Sequence, residues 1–289
     1  MYKNFDEWDV YEGLDAGSGR SEKQWLINRK GDNQIGLFKF PKSEYTTEHF
    51  SEKIAADIAS IINFPCAKID LGTYNGREGV MSYRINSDRE PLIEGVSLII
   101  KLYNQYDVNK LFDCKSNEYY SLDMIMKSLQ EFKLEKEFLK IPIFDFLIGN
   151  SDRHQNNWAI IKSDTGVKIS PLYDNGSSLC CYENEENLQG CIKDTLKFKS
   201  IVDTKSKSMI RIDKYKKKKP THLQVIQYIR NEYYRDTIDF VVDINRLFTY
   251  NKLDDLMNTY DGYISNNRIK LIKNFLKYKL KELTQVYNL

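Results

Sequence analysis

Between Thr46 and Asn63 the apolar residues Phe50, Ile54, Ile58 and Ile61 recur at spacings of four, four and three. That pattern fits a helix of about 3.6 residues per turn and predicts an amphipathic helix, with Thr46 or Thr47 as the amino-terminal cap. On either side the period shortens to two. Gln24 to Asn28 and Gln34 to Phe40 precede the helix, Lys68 to Tyr74 and Glu78 to Arg84 follow it, and glycine-containing turns separate them. These four runs predict an antiparallel sheet. From about Glu90 helical periodicity dominates, in Pro91 to Tyr103, Ser116 to Phe132 and Lys136 to Ile148, where Pro142 is expected to start or kink a segment. A hairpin follows, Trp158 to Lys162 paired with Val167 to Ile169 around Asp164-Thr165-Gly166. Beyond Glu183 helices return, at His222 to Arg230, Asp236 to Phe248 and Asn266 to Val286.

The chain therefore reads as α+β in two parts. Residues 1–88 hold a sheet interrupted by one helix, and residues 89–289 are mostly helical. A length of 289 residues and an apolar content of 41% allow a substantial core. A formal net charge of +2 gives no general pull toward nucleic acid or membrane. The local exception is the stretch from Lys193 to Lys219, with Lys197, Lys199, Lys205, Lys207, Arg211 and Lys214 ahead of Lys216 to Lys219. Such a run is either a solvated loop or a platform for an acidic, antitoxin-like or nucleic-acid-associated partner. Ser206 and Ser208 inside it are candidate phosphorylation sites. Five cysteines without a CxxC pair, beside three histidines, form neither a disulfide framework nor a zinc site. That usage points to a reducing cytoplasm, with secretion or delivery to a host left open. No apolar run approaches the length that a transmembrane helix needs.

The chemistry concentrates at residues 149–157, Gly-Asn-Ser-Asp-Arg-His-Gln-Asn-Asn. Asp152 and Asn157 are five apart, the spacing at which a kinase catalytic loop holds its base and a metal-binding amide, and Asp174 follows seventeen residues later. Phosphoryl transfer needs a carboxylate to orient the attacking hydroxyl and hard oxygen ligands for magnesium. Asp152 is the candidate base, and Asn157 and Asp174 the candidate metal ligands. Upstream, Gly13 to Lys23 is small and flexible, and its backbone N–H groups at Gly17, Ser18 and Gly19 suit close approach to phosphates, although the Walker pattern is absent. Lys39, in a strand sixteen residues beyond Lys23, is the candidate phosphate-gripping lysine. A helix carboxylate often holds such a lysine, and Glu52 and Glu48 are the candidates. Glu52 lies roughly 150° from the centre of the apolar stripe at about 100° per residue, so helix geometry leaves open both a solvated side chain and an ion pair with Lys39.

Taken together, these residues resemble the HipA-like family of bacterial serine/threonine kinases, nearest its compact CtkA type. The family's phosphate loop ends in Gly-x-x-x-Lys, which Gly19-Arg20-Ser21-Glu22-Lys23 follows. The resemblance puts the strand lysine at Lys39, the catalytic aspartate at Asp152, the histidine two residues on at His154, and the metal ligands at Asn157 and Asp174. It puts an adenine-binding hinge at Met81-Ser82-Tyr83. It implies a two-lobed fold related to protein kinases and phosphatidylinositol kinases, ATP and magnesium as cofactors, a protein hydroxyl as acceptor, and autophosphorylation. Arg153 is expected to be structural or to balance Asp152, and His154 to contact phosphate or order the loop. The chain departs from the full-length toxins of the family. Ala16 stands where their autophosphorylated serine aligns, leaving Ser18 or Ser21 as substitutes, and the chain starts close to the loop, so a tight complex with antitoxin and operator DNA is not expected. A lipid or small-molecule kinase with the same Asp-Arg-His-x-x-Asn loop, or an inactive nucleotide-binding module, are the alternative functions.

Overall fold

The computed structural model describes residues 2–14, 22–43 and 45–289. Six strands form one sheet: β1 (Lys3–Asn4), β2 (Asp9–Val10), β3 (Lys23–Ile27), β4 (Ile35–Lys39), β5 (Ile69–Tyr74) and β6 (Arg77–Tyr83). Their spatial order is β1-β5-β6-β4-β3-β2, and all neighbours are antiparallel except β1 on β5. Register decides which side chains share a face. Lys39 lies opposite both Lys23 and Val80, while Phe38 lies opposite Met81. Because side chains alternate along a strand, Lys23, Lys39 and Val80 stand on one face and Phe38 and Met81 on the other. The second face has its own core of Phe5, Leu26, Phe38, Phe40, Tyr74, Met81 and Tyr83.

Helix α1 (Glu48–Ile61) covers the Val80 face, where Ala56 packs with Ala67, Ile69 and Val80. Its stripe of Phe50, Ile54 and Ile58 joins the main core, as the sequence period predicts. Two details differ. Thr47 occupies the cap position without a side-chain cap bond, and its N–H donates to the carbonyl oxygen of Cys181. The opposite flank of the helix is not solvated either, since Glu48, His49, Ser51 and Glu52 are all buried.

The remaining elements are β7 (Leu92–Glu94), α2 (Gly95–Leu102), β8 (Tyr106–Asp107), β9 (Phe112–Asp113), β10 (Glu118–Tyr119), α3 (Leu122–Leu129), α4 (Glu135–Ile148), β11 (Ala159–Ser163), β12 (Gly166–Ile169), α5 (Glu185–Lys193), α6 (Thr195–Lys199), α7 (His222–Leu247), α8 (Tyr250–Asn258) and α9 (Asn266–Tyr287). The hairpin β11–β12 gains β7 as a third strand, with Ile160 opposite Ile93. The start of the predicted helix 91–103 is therefore strand. Likewise 116–132 begins as a short strand, and its helix starts only at Ser121, whose side chain accepts from the N–H of Met124. Helix α4 runs through Pro142 and is buried from Phe138 to Ile148 except at Lys140. It packs against α7 and α9 at the centre of the main core. The two helices predicted at 222–230 and 236–248 are the arms of α7, which meet at a kink at Tyr233 (φ −131°, ψ 32°). Among the described residues no helix is long and apolar enough to cross a membrane.

Candidate active site

The loop that follows α4 is shaped by a glycine and fastened by a buried cation. Gly149 ends the helix at φ 70°, a conformation that strains other residues, and a Cβ there would meet the Phe275 ring at 2.6 Å. Arg153 is buried beneath the loop. Its Nη2 donates to Asp145 Oδ1 at 2.8 Å and to Asn175 Oδ1 at 2.6 Å, and its Nη1 donates to the carbonyl oxygens of Asn157 at 2.6 Å and Tyr173 at 2.9 Å. One guanidinium thus joins α4, the loop and the segment carrying Asp174. Of the two roles expected for Arg153 the structural one is realised: the carboxylate it balances is Asp145 in the last turn of α4, not Asp152.

Three further bonds fix the loop's course. Asn157 Nδ2 donates to the carbonyl oxygen of Asp152 at 2.8 Å, and the N–H of Ser151 donates to Ser177 at 3.1 Å. From the first residue of α7, His222 Nε2 lies 2.8 Å from the carbonyl oxygen of Asn150. A carbonyl only accepts, so Nε2 carries the proton and Nδ1 accepts from the Ser206 hydroxyl at 2.9 Å. Burial holds His222 neutral, pushing its pKa down to about 3.

Between the loop and the Lys39 face of the sheet lies a cleft of about 500 Å³. Lys39 Nζ donates to Glu52 Oε1 at 2.9 Å and to Asp174 Oδ1 at 3.1 Å. The Lys39 and Glu52 side chains are 16% and 4% exposed, whereas Asp174 is 46% exposed. Glu52 is therefore the inner clamp and Asp174 the open end of the triad, so the ion pair left open by helix geometry is made. Burial opposes the charge on Lys39, but Asp174 and Glu52 outweigh it and raise its pKa above the ordinary lysine value. Burial raises the Glu52 carboxyl, while the charge of Lys39 lowers that of Asp174. Asp174 itself sits at φ 56°. Its segment is aligned by Leu172, which exchanges backbone bonds with Pro65 and Ala67 just past α1.

Asp152 lines the same cleft. Burial raises its carboxyl above the usual range, Asp174 adds to the rise, and His154, Lys42 and Lys219 counter it. His154 also lines the cleft, and its Nδ1 accepts from the N–H of Asn156 at 3.2 Å, which orders the loop. Lys23 stands on the cleft wall beside Lys39. Gly17, Ser18, Gly19 and Ser21 lie outside the described residues. Met81 and Tyr83 are not brought into the cleft by their side chains. Both pack in the outer core, and the Tyr83 hydroxyl donates to Asp70 at 2.8 Å, while Val80 lines the cleft in their place. Ser206 and Ser208 are buried, so neither is an accessible phosphorylation site.

Glu48, the other carboxylate offered for holding Lys39, is committed to Lys42 instead, and neither that pairing nor the place of His49 carries a signal in the sequence. Lys42 Nζ pairs with Glu48 Oε1 at 2.7 Å, and Glu48 also accepts from Tyr182 Oη at 3.1 Å and Thr46 Oγ1 at 2.9 Å. These partners lie up to 134 residues apart, beyond any local pattern. His49 is 8% exposed at the cleft wall, and neither ring nitrogen has a hydrogen-bond partner among the described residues. Burial pushes its pKa down to about 4. In the sequence it is indistinguishable from a core histidine.

This fold has counterparts among known proteins. The profile of the HipA-like C-terminal domain matches residues 16–239, and the chain belongs to that family. It is similar to the serine/threonine-protein kinase CtkA of Helicobacter pylori strain J99, at 20% identity over 242 residues, 78% of this chain and 70% of that protein. The crystal structure of the H. pylori proinflammatory kinase CtkA superposes with a TM-score of 0.82 at 19% identity, covering 99% of this chain and 97% of the other. HipA of Shewanella oneidensis MR-1, solved with HipB and operator DNA, matches with a TM-score of 0.61 at 13% identity over 96% of this chain and 66% of its own. The fold is that of the CtkA and HipA kinases.

Proposed function

We propose that this chain is an ATP- and magnesium-dependent serine/threonine protein kinase that transfers the γ-phosphate to protein hydroxyls, its own among them. The observation that carries the reading is the Lys39–Glu52–Asp174 triad facing Asp152 across one cleft. In this reading residues 1–88 form the nucleotide-binding lobe and residues 89–289 the catalytic lobe. Lys39, held by Glu52, grips the phosphates of ATP, with Lys23 beside it on the cleft wall. Met81 and Tyr83 hand nucleobase contact to backbone past the end of β6, since the N–H groups of Tyr83 and Arg84 are already bonded to Lys68 and Ile35.

The donor chemistry suits magnesium, with Asp174 lining the cleft and Asn157 buried in the loop rather than among the lining residues. A phosphate-bound magnesium ion takes one or two protein oxygens and fills its remaining positions from phosphate and water. Asp174 is half exposed with Oδ1 on Lys39, leaving Oδ2, and Asn157 spends Nδ2 on a carbonyl, leaving Oδ1. Those two oxygens would hold the ion, whose chemistry is to neutralise charge on the phosphate oxygens. Asp152 orients the acceptor hydroxyl and takes its proton as the new O–P bond forms and the bond to ADP breaks. Its raised pKa suits a group that must take a proton.

The purified chain with labelled ATP, magnesium, and protein and lipid acceptors tests this reading. Label on protein hydroxyls supports it. Label on lipid alone replaces it with a lipid kinase, and nucleotide binding without transfer to any acceptor replaces it with an inactive module.

A further inference from the structure

The basic run ending at Lys219 divides into two groups by its partners. Lys205 lies 3.7 Å from Glu183, Lys214 lies 2.9 Å from Glu118 and 3.0 Å from Asp123, and Lys216 lies 3.0 Å from Asp213. Among the described residues the other cations of the run form no ion pair with a carboxylate, and of these Lys207 and Arg211 act on Lys219. Arg211 is buried, covers the Tyr119 ring and donates to the carbonyl oxygens of Lys217, Tyr120 and Met209 at 3.1, 3.4 and 3.3 Å. Carbonyl oxygens satisfy its N–H groups but leave its charge uncancelled.

These three cations are fastened to the catalytic loop. The N–H of Ser208 donates to the carbonyl oxygen of Pro220 at 3.0 Å, and that of His222 to Ser206 at 2.9 Å, which closes the turn between them. The His222 ring then bonds Asn150, two residues before Asp152. In consequence Lys219 acts electrostatically on Asp152, and Arg211 and Lys207 act on Lys219. Burial and then repulsion from Arg211 hold the half-buried Lys219 ammonium below the ordinary lysine pKa, the condition of a cation that gains from an incoming anion.

Asp152 thus feels two lysines of different standing. Lys42 lines the nucleotide cleft and is committed to Glu48. Lys219 does not line that cleft and is committed to no carboxylate. An acidic acceptor approaching the loop would meet the negative charge of Asp152 and Asp174, and Lys219 offsets it. We propose that Lys219, backed by Lys207 and Arg211, forms an acceptor-side subsite that selects peptides whose phosphoacceptor hydroxyl is flanked by carboxylates. This rests on the protein-kinase reading of the cleft. Nucleic acid is the less suited ligand, because a single-strand groove strings cations along its length, and here Arg211 and Lys207 back one cation, Lys219, that acts on Asp152.

The test uses the full chain and two fluorescent serine peptides, one flanked by glutamates and one by glutamines. Transfer is measured with ATP and magnesium, and binding is measured by anisotropy without nucleotide. Wild type is expected to prefer the acidic peptide by about tenfold in kcat/KM, and Lys219→Gln to reduce that preference roughly three- to tenfold through KM, with a parallel loss of binding. Lys207→Gln should act in the same direction more weakly, which guards against a folding defect in one variant. Equal kcat/KM for the two peptides in wild type overturns the proposal. So does an equal loss of kcat for both peptides in Lys219→Gln, which makes Lys219 a contact to the transferred phosphate, or displacement of the acidic peptide by a tighter-binding RNA oligonucleotide. Acidic-peptide binding that depends on Lys219, without transfer to any peptide, upholds the subsite and fails the kinase reading. Absence of both binding and transfer fails both.

Discussion

Arg153 and Asp145, eight positions apart, form an ion pair of 2.8 Å whose side chains are only 1% and 3% exposed. The pair lies directly beneath Asp152, so the candidate base is placed by its sequence neighbour. Burial raises the Asp145 carboxyl and works against Arg153, and each partner offsets the cost for the other.

Removing one partner leaves the other charged and buried. Arg153→Met and Asp145→Leu are each expected to destabilise the fold by about 3–5 kcal/mol. The double substitution should recover part of that loss, because an apolar pair leaves no orphan charge. Urea denaturation of the two single variants and the double variant, treated as a cycle, checks this. Additive losses would show that the two side chains do not act as a pair.

Glu52 is the buried member of the Lys39 triad. Glu52→Gln keeps the volume but removes the charge that holds Lys39, so Lys39 is left with Asp174 alone. Transfer should fall by about tenfold to a hundredfold, on the order of 1.4–2.8 kcal/mol of transition-state binding. Lys39→Met should abolish it. Initial rates across ATP concentrations, with thermal melting as the folding control, separate this from instability. An unchanged rate in Glu52→Gln would remove Glu52 from the phosphate grip.

His49 gives a pH dependence with a defined sign. Its folded pKa, about 4, lies below the unfolded value of about 6.5, so the unfolded chain binds more protons between those limits. Its contribution to stability is full above pH 6.5 and is lost as pH falls toward 4, by about 3 kcal/mol at most. Raised carboxyls such as Glu52 and Asp152 act in the opposite direction. The difference between wild type and His49→Leu isolates the histidine. The variant should gain stability relative to wild type as pH is lowered from 7 to 4.5, and a constant difference over that range would contradict a buried neutral imidazole.

The parts of the site that lie close together in sequence were legible there. Asp152, His154 and Asp174 line one cleft with Lys39, and their type and spacing mark them. Helix α1 was legible from its apolar period, and the break in α7 from the interruption of that period between Arg230 and Asp236. Contacts set by tertiary packing were not. The choice for Glu52 between solvent and Lys39 depended on what covers the far flank of α1, which a helical period does not report. Arg153 was drawn to Asp145 rather than Asp152 because α4 ends beneath the loop. Met81 and Tyr83 follow the strand alternation that puts Val80 and Lys39 on the cleft face, and that parity is fixed only by register with β4. Leu92 to Glu94 reads as helical by itself but becomes strand because β11 offers it an edge.

The central claim is that Asp152 acts as the base and Asp174 as the metal ligand of one phosphoryl-transfer site. The most direct measurement compares Asp152→Asn and Asp174→Asn with wild type, reading label transfer from ATP to protein and magnesium-dependent ATP binding on the same samples. Asp152→Asn should bind ATP as wild type does and lose transfer by on the order of a hundredfold to ten-thousandfold. Asp174→Asn should lose both. Full transfer by Asp152→Asn, or magnesium-dependent binding untouched in Asp174→Asn, would contradict the account.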